Sequence, residues 1–371
     1  MKVALVIPYN PLEEVGGLEI GTMYLARDLR RCGVEPIIIT KGQTGASSGL
    51  LILGFSSLTR ICKFLLSDHE SFDVIHWLEI FPGPGEVDIQ LMASGLLRSL
   101  GKKVVMMVAT SGNLRNRASG EVSRLLLQFC LDAYVISNPD QLMEFSEAGL
   151  RLSAVHQIGF GVEAKKTFTP VGNDEKVKLR QELGLPPDKI LCLFMGRFVE
   201  RKQPDFLLRA WQTMTDLYDQ AELVIVGSGM QQHDSIESAV FALAENAKFA
   251  HFHEVTKEPQ KYYQACDILL LPSDREGQPN VLLEAMACGQ SVIASDIAGI
   301  REMLINGVNG LTFPPHDEAS FISAIHLLVN DRALRSEYGQ SARQTILERK
   351  NLPLVTEEYL ALYNKIERSQ R

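Results

Sequence analysis

Residues 274–289 read DREGQPNVLLEAMACG. Val281, Leu282, Leu283, Ala285, Met286, Ala287 and Cys288 make a helix that is apolar almost all round, which marks it as buried. Glu284 stands inside that apolar run, and Glu276 stands in the loop feeding it. The run DILLLP (267–272) precedes the stretch and QSVIAS (290–295) follows it. Both are β-rich, so the order is strand, loop, buried helix, strand. That order is a βαβ unit with parallel strands, and it points to an α/β fold.

The same alternation runs through the whole chain. KVALVIP (2–8), EPIIIT (35–40), FDVIHW (72–77), KKVVMMVA (102–109), AYVIS (133–137) and AVHQIG (154–159) read as strands of a first sheet. KILCLFMG (189–196), AELVIVG (221–227), KFAHFH (248–253), DILLLP, QSVIAS and GLTFPP (310–315) read as a second series. Helices fall between them, at 17–32 and 56–67 in the first half and near 204–217, 230–245, 258–265, 279–288 and 317–330 in the second. At 371 residues, two domains are expected. Residues 160–188 carry Gly161, Pro170, Gly172, Gly184, Pro186 and Pro187 and read as the linker. The expected domains are 1–165 and 166–353, with an amphipathic helix at about 354–371 crossing back to the first. Two Rossmann-like, doubly wound parallel sheets would face each other across a cleft, with ligands at the carboxyl ends of the strands.

A net charge of −8 argues against nucleic acid as a partner. The six cysteines include no CxxC pair and read as core residues of a reducing compartment. No apolar run approaches the roughly 20 residues that span a bilayer. The start MKVALVIPYN is broken too soon by Pro8 for a signal peptide. A cytoplasmic protein is expected, at most peripherally bound at the inner face of a membrane.

Three stretches carry the candidate chemistry. The loop Glu276, Gly277, Gln278, Pro279, Asn280 and Val281 follows a strand's carboxyl end and opens a helix. Its amides and the helix dipole suit a phosphate. Asn280 and Glu284 share one helical face. A buried carboxylate needs donors, and a pair of sugar hydroxyls would serve. On spacing alone, Glu276 could equally favour a helix N-terminus and Glu284 could pair with a core arginine. In MGRFVERKQP (195–204), Arg197 and Lys202 could reach one anion, with Arg201 as a competitor. GGLEIG (16–21) and VGSGM (226–230) join strands to helices, and standing alone GGLEIG is better explained by a tight turn than by a phosphate loop. There is no GxxxxGK[ST] loop, no Asp-x-Asp pair, no metal-ligand spacing among the eight histidines and no GxSxG elbow. No metal and no cofactor are therefore expected.

GRFVERK, VIVGSG and DILLLPSDREGQPNVLLEAMACGQSVIASDIAGIREMLINGVNGLTFPP, in that order, resemble the second domain of the retaining, GT-B-fold glycosyltransferases of family 4, also known as glycosyl transferases group 1. Glu276 and Glu284 form that family's E-x7-E pattern. GGLEIGTMYLARDLRRCGVEPIIIT, ISNPDQLMEFSEAGL and IGFGVEAKKTFTP are similar to its first-domain and linker segments. The resemblance implies a nucleotide-sugar donor and an acceptor hydroxyl that the sequence does not name. It implies that Arg197 and Lys202 bind the donor's diphosphate, Glu284 the ribose hydroxyls and Glu276 the sugar hydroxyls. Amides from Gly277 to Asn280 would position sugar and phosphate, Gly17 would lie near the diphosphate, and the base would sit around Val255. One departure stands out: the family often has a histidine near the donor sugar, where this chain reads VVMMVATSGNLRNR (104–117). Ser111 is the expected hydrogen-bonding residue there, with Asn113 as an alternative.

Two other classes make different demands. A nicotinamide-dependent oxidoreductase requires GxGxxG and an acidic residue about 20 positions on, which GGLEIG fits poorly. A catalytically silent nucleotide-sugar-binding protein would keep Glu284 and lose Arg197 or Lys202, and both are present.

Overall fold

A computed structural model describes residues 1–13, 16–82, 85–108, 121–147, 149–229 and 235–368. The chain forms two compact units, Met1–Gly161 with Leu352–Arg371, and Val162–Asn351.

Unit 1 holds one eight-stranded sheet. Its strands are β1 (Lys2–Ile7), β2 (Glu35–Lys41), β3 (Gly45–Ser47), β4 (Leu50–Phe55), β5 (Val74–Trp77), β6 (Lys103–Val108), β7 (Ala133–Ile136) and β8 (Val155–Gln157), in the order β3-β4-β2-β1-β5-β6-β7-β8. Every pairing is parallel except β3–β4. Parallel strands are covered on both faces, so they read as continuous apolar runs. Alternation divides each run between two cores: Val3, Leu5 and Ile7 join one cluster, and Ala4 and Val6 the other. The helix Leu352–Arg368 packs into the first of these through Val355, Tyr359, Leu362 and Tyr363. The Tyr359 hydroxyl donates to the Gly159 carbonyl at 2.8 Å, and the Tyr363 hydroxyl lies 2.7 Å from His76 Nδ1. Burial without a charged partner pushes His76 down to about 3, so its imidazole is neutral in the folded protein.

Unit 2 holds β9 (Ile190–Met195), β10 (Ala221–Val226), β11 (Ala250–His253), β12 (Ile268–Leu271), β13 (Ser291–Ser295) and β14 (Leu311–Phe313). They are all parallel, in the order β11-β10-β9-β12-β13-β14. From β9 the chain winds outward to β10 and β11, then returns to β12 on the other side. The direction of winding therefore reverses between β9 and β12, and such a switch point is where open α/β sheets bind ligands. No described helix is long and apolar enough to cross a membrane.

The structure revises the linker and adds elements that the sequence reading did not include. Residues 160–188 are not one linker: the chain passes between units at Gly161/Val162, before the expected 165/166, and Asn173–Glu182 is a helix of unit 2. Arg180 anchors that helix, donating to Asp267 Oδ2 at 2.7 Å and to the Ala265 carbonyl at 2.9 Å. The apolar run LLILGF, absent from the strands read in the sequence, extends the sheet as β4. Ser48 and Gly49, with φ of +51° and +76°, form the left-handed turn from β3 into it. Between β5 and β6 a helix runs from Glu86 to Ser99.

Candidate active site

The two stretches singled out at Arg197–Lys202 and Glu276–Glu284 leave β9 and β12, the neighbouring strands at the switch point of unit 2. After β9 the chain turns at Gly196, pressed against the next strand's exit. A Cβ on Gly227 would lie 1.9 Å from the Gly196 carbonyl oxygen, so only glycine fits there. The Phe198 amide donates to the Ser228 carbonyl at 2.8 Å, which fixes the course of the loop. Glu200–Lys202 then forms a single tight turn, ended by Gln203 with φ of +54°. Pro204 starts the next helix, where its fixed φ suits the first turn.

After β12 the chain passes through Ser273, Asp274 and Glu276 to the helix Asn280–Ala287. Pro279 is the residue before this helix, not its first residue as the sequence suggested. At the far end, Gly289 with φ of +75° donates to the Met286 carbonyl, and the Gln290 amide donates to the Ala285 carbonyl. These two bonds make a Schellman cap, so the helix ends as the glycine demands. The loop itself is pinned from behind: a Cβ on Gly299 would lie 2.2 Å from the Glu276 carbonyl oxygen and 2.5 Å from that of Gly277.

The two loops meet through side chains. Lys202 Nζ lies 2.5 Å from Glu276 Oε1, and Arg201 Nη1 lies 3.3 Å from Glu276 Oε2. Lys202 and Glu276 are both buried. Arg197 has no carboxylate partner among the described residues, yet its charge acts on Lys202. Burial and the two guanidinium groups press the Lys202 ammonium below its ordinary range, against the pull of Glu276. Burial pushes the Glu276 carboxyl up, but Lys202 and Arg201 outweigh it and hold it ionised below the ordinary carboxylate range. Two cations therefore pair with one carboxylate while Arg197 acts on Lys202, leaving a positive excess that suits an anion.

Glu284 sits differently. It is 4 % exposed and makes no ion pair among the described residues, so the core-arginine alternative does not hold. Burial pushes its carboxyl up to about 8, against an opposing pull from the Tyr263 hydroxyl. At neutral pH and without a ligand it therefore holds its proton and can both donate and accept.

The remaining predicted positions are distributed as follows. Gly277 and Pro279 are buried, and Gln278, Asn280 and Val281 are half-buried beside Glu276. Val255 follows β11 and is 43 % exposed. Gly17 is the exposed first residue of the helix Gly17–Arg31 in unit 1. Ser111 lies outside the described residues, as does Asn113. The VGSGM turn has a partner within its own unit: the Gly229 amide donates to Glu237 Oε1 at 2.7 Å. Arg201, left by the sequence as a surface competitor, is a full member of the Glu276 cluster. Asp274 passed unnoticed, although its amide donates to the Arg201 carbonyl at 2.9 Å and joins the two loops. Among the described residues no group of three or more His, Cys, Asp or Glu side chains is arranged to hold a metal.

Comparison with known proteins bears on the family and the fold. The family model "Glycosyl transferases group 1" matches residues 175–345, which contain both loops. A D-inositol 3-phosphate glycosyltransferase of Xylanimonas cellulosilytica is 25% identical over 369 residues, covering 89% of this chain and 87% of its own. An N,N'-diacetylbacillosaminyl-diphospho-undecaprenol alpha-1,3-N-acetylgalactosaminyltransferase of Campylobacter jejuni is 28% identical over 207 residues, 56% of this chain and 53% of its own. Among solved structures, HepE of Anabaena in complex with UDP and glucose superposes with a TM-score of 0.81 at 17% identity, covering 98% of this chain and 99% of its own. That likeness establishes the fold: two parallel-sheet α/β domains of the GT-B kind.

Proposed function

We propose that this glycosyltransferase, whose residues 175–345 match the model of the glycosyl transferases group 1, moves a sugar from a nucleotide-sugar donor to an acceptor hydroxyl with retention of configuration and without a metal. The observation that carries this reading is the Lys202–Glu276 pair, flanked by Arg201 and Arg197, at the switch point between β9 and β12.

Glycosyl transfer builds positive charge on the sugar and negative charge on the departing diphosphate. Lys202 and Arg197, with Arg201, neutralise the second, in a buried setting where their charge acts strongly. When the phosphate takes Lys202, Glu276 is released to accept hydrogen bonds from the donor sugar. The loop from Gly277 to Val281 positions sugar and phosphate, Glu284 accepts from the ribose hydroxyls, and the base lies by the loop around Val255. The bond from the anomeric carbon to the phosphate oxygen breaks, and the acceptor oxygen bonds the same face of that carbon. The acceptor's proton passes to the departing phosphate, so no protein nucleophile is required. Cationic side chains take the place a divalent ion would otherwise fill.

Likeness to a structure that holds UDP makes uridine nucleotides the first donors to try. The two relatives named above differ in acceptor, one an inositol phosphate and the other lipid-linked, so kinship supports a hydroxyl acceptor and no narrower class. Protection from thermal unfolding across UDP, GDP, ADP and their sugar conjugates tests the reading. One nucleotide series should raise the unfolding temperature, and its sugar conjugate should be consumed when acceptors are supplied. If no nucleotide diphosphate protects, the reading is wrong.

A further inference from the structure

We propose that Asp274 is a positioning residue that clamps the 197–203 turn to the 273–280 loop and so sets the geometry in which Lys202 meets Glu276. The inference rests on the reading of that pair as the donor site. Asp274 itself lies outside the pair. Its amide donates to the Arg201 carbonyl at 2.9 Å, and its Oδ2 accepts from Gln203 Nε2 at 3.1 Å. Its Oδ1 is out of solvent and accepts no hydrogen bond, and His316 Nε2 lies 2.9 Å away as an ion-pair neighbour. Three separate segments thus converge on one aspartate: the turn after β9, the loop after β12 and the loop after β14.

The backbones of its two side-chain partners point the same way. Gln203 and His316 have φ of +54° and +64°, and only Ser48 and Phe249 share this conformation among the described non-glycine residues. Left-handed backbone is disfavoured for side-chain-bearing residues, and where it persists the surroundings must compensate. Glycine would satisfy either turn without that penalty. What glycine would not supply is the side chain: that of Gln203 donates to Asp274 Oδ2, and that of His316 lies within ion-pair distance of Oδ1. Gln203 directly follows Lys202, so anchoring it orients the lysine. Asp274 is two residues before Glu276, so the same anchor orients the carboxylate. Donor chemistry needs the two groups in fixed register, because a shift of about 1 Å at a reacting centre costs on the order of 100-fold in rate.

The test compares the full chain with Asp274→Ala, Asp274→Asn and the double variant Gln203→Gly/His316→Gly. Amide hydrogen exchange over 197–203 should speed up at least about fivefold in Asp274→Ala and in the double variant. Turnover of the sugar nucleotide should fall about tenfold or more, while the nucleoside diphosphate Kd stays within about threefold and Asp274→Asn recovers most of the loss. The double variant should unfold at or above the wild-type temperature, since glycine relieves two left-handed residues. A merely structural role would instead lower stability, affinity and turnover together, and that result overturns the proposal. Unchanged exchange overturns it as well, as does unchanged turnover. Faster exchange in the variants, together with a wild type that consumes no sugar nucleotide, would uphold the clamp and refute the functional reading.

Discussion

Lys202 Nζ and Glu276 Oε1 approach to 2.5 Å although 74 residues separate them, and both side chains are buried. Each therefore depends on the other for its charge. Removing one partner of a buried pair strands the other, typically at about 3–5 kcal/mol. Arg201 remains beside Glu276 and softens that loss. Lys202→Ala should thus lower both stability and turnover, the latter about 100-fold or more. The double variant Lys202→Met/Glu276→Gln should regain most of the stability and none of the turnover. Chemical denaturation with matched kinetics checks this; a double variant as unstable as the single would remove the pair as the cause.

Glu276 and a donor phosphate compete for the same ammonium. Glu276→Gln should therefore bind nucleoside diphosphate roughly 3- to 10-fold more tightly, a gain of about 1 kcal/mol, yet transfer sugar more slowly. Calorimetric titration with the diphosphate alone separates the two effects. Weaker binding would show that Glu276 assists the phosphate.

Glu284 holds its proton up to about pH 8 in the folded chain, well above its ordinary value of 4.5. Between those two pH values the folded state binds one proton more than the unfolded state, so stability falls as pH rises through that window. The slope is at most roughly 1.4 kcal/mol for each step of one in pH. Glu284→Gln should flatten this part of the stability profile between pH 5 and 8. If ribose hydroxyls donate to the ionised form, nucleotide binding to wild type at pH 7 also releases a proton. Titration in buffers of different ionisation enthalpy detects it, and no buffer dependence would count against the ribose role.

Gly299 packs its bare Cα against the Glu276 and Gly277 carbonyls. Gly299→Ala must push that loop away, since the new methyl would lie 2.2 Å from an oxygen. Turnover should fall about tenfold or more while the fold survives, because the displaced segment is a loop and not core. Circular dichroism alongside kinetics decides it, and full activity would mean that the loop's position is not critical.

Sugar transfer should continue in excess EDTA, within about twofold of the untreated rate. Abolition, with recovery on adding a divalent ion, would replace the cation-only mechanism.

The alternation of apolar runs and helices determined the fold class, because parallel strands buried on both faces must be continuously apolar. The capping glycine at 289 ended the Glu284 helix where local chemistry said it should. β4 was missed because LLILGF is too short to distinguish a strand from an apolar loop. The linker reading failed because glycine and proline mark turns and do not say which unit holds them; Arg180 reaching Asp267, 87 residues away, decided that.

Residue types and spacing singled out Arg197, Lys202, Glu276 and Glu284 as candidates, and the family resemblance suggested their roles. They could not tell that Lys202 and Glu276 share an ion pair, that Arg201 joins it, or that Asp274 ties their loops. Those facts depend on β9 and β12 lying side by side, although about 70 residues separate their ends along the chain. Local propensity acts over a few residues, whereas strand pairing joins distant ones. The chain's own order therefore set the elements and their chemistry, and only the folded sheet decided which charges meet.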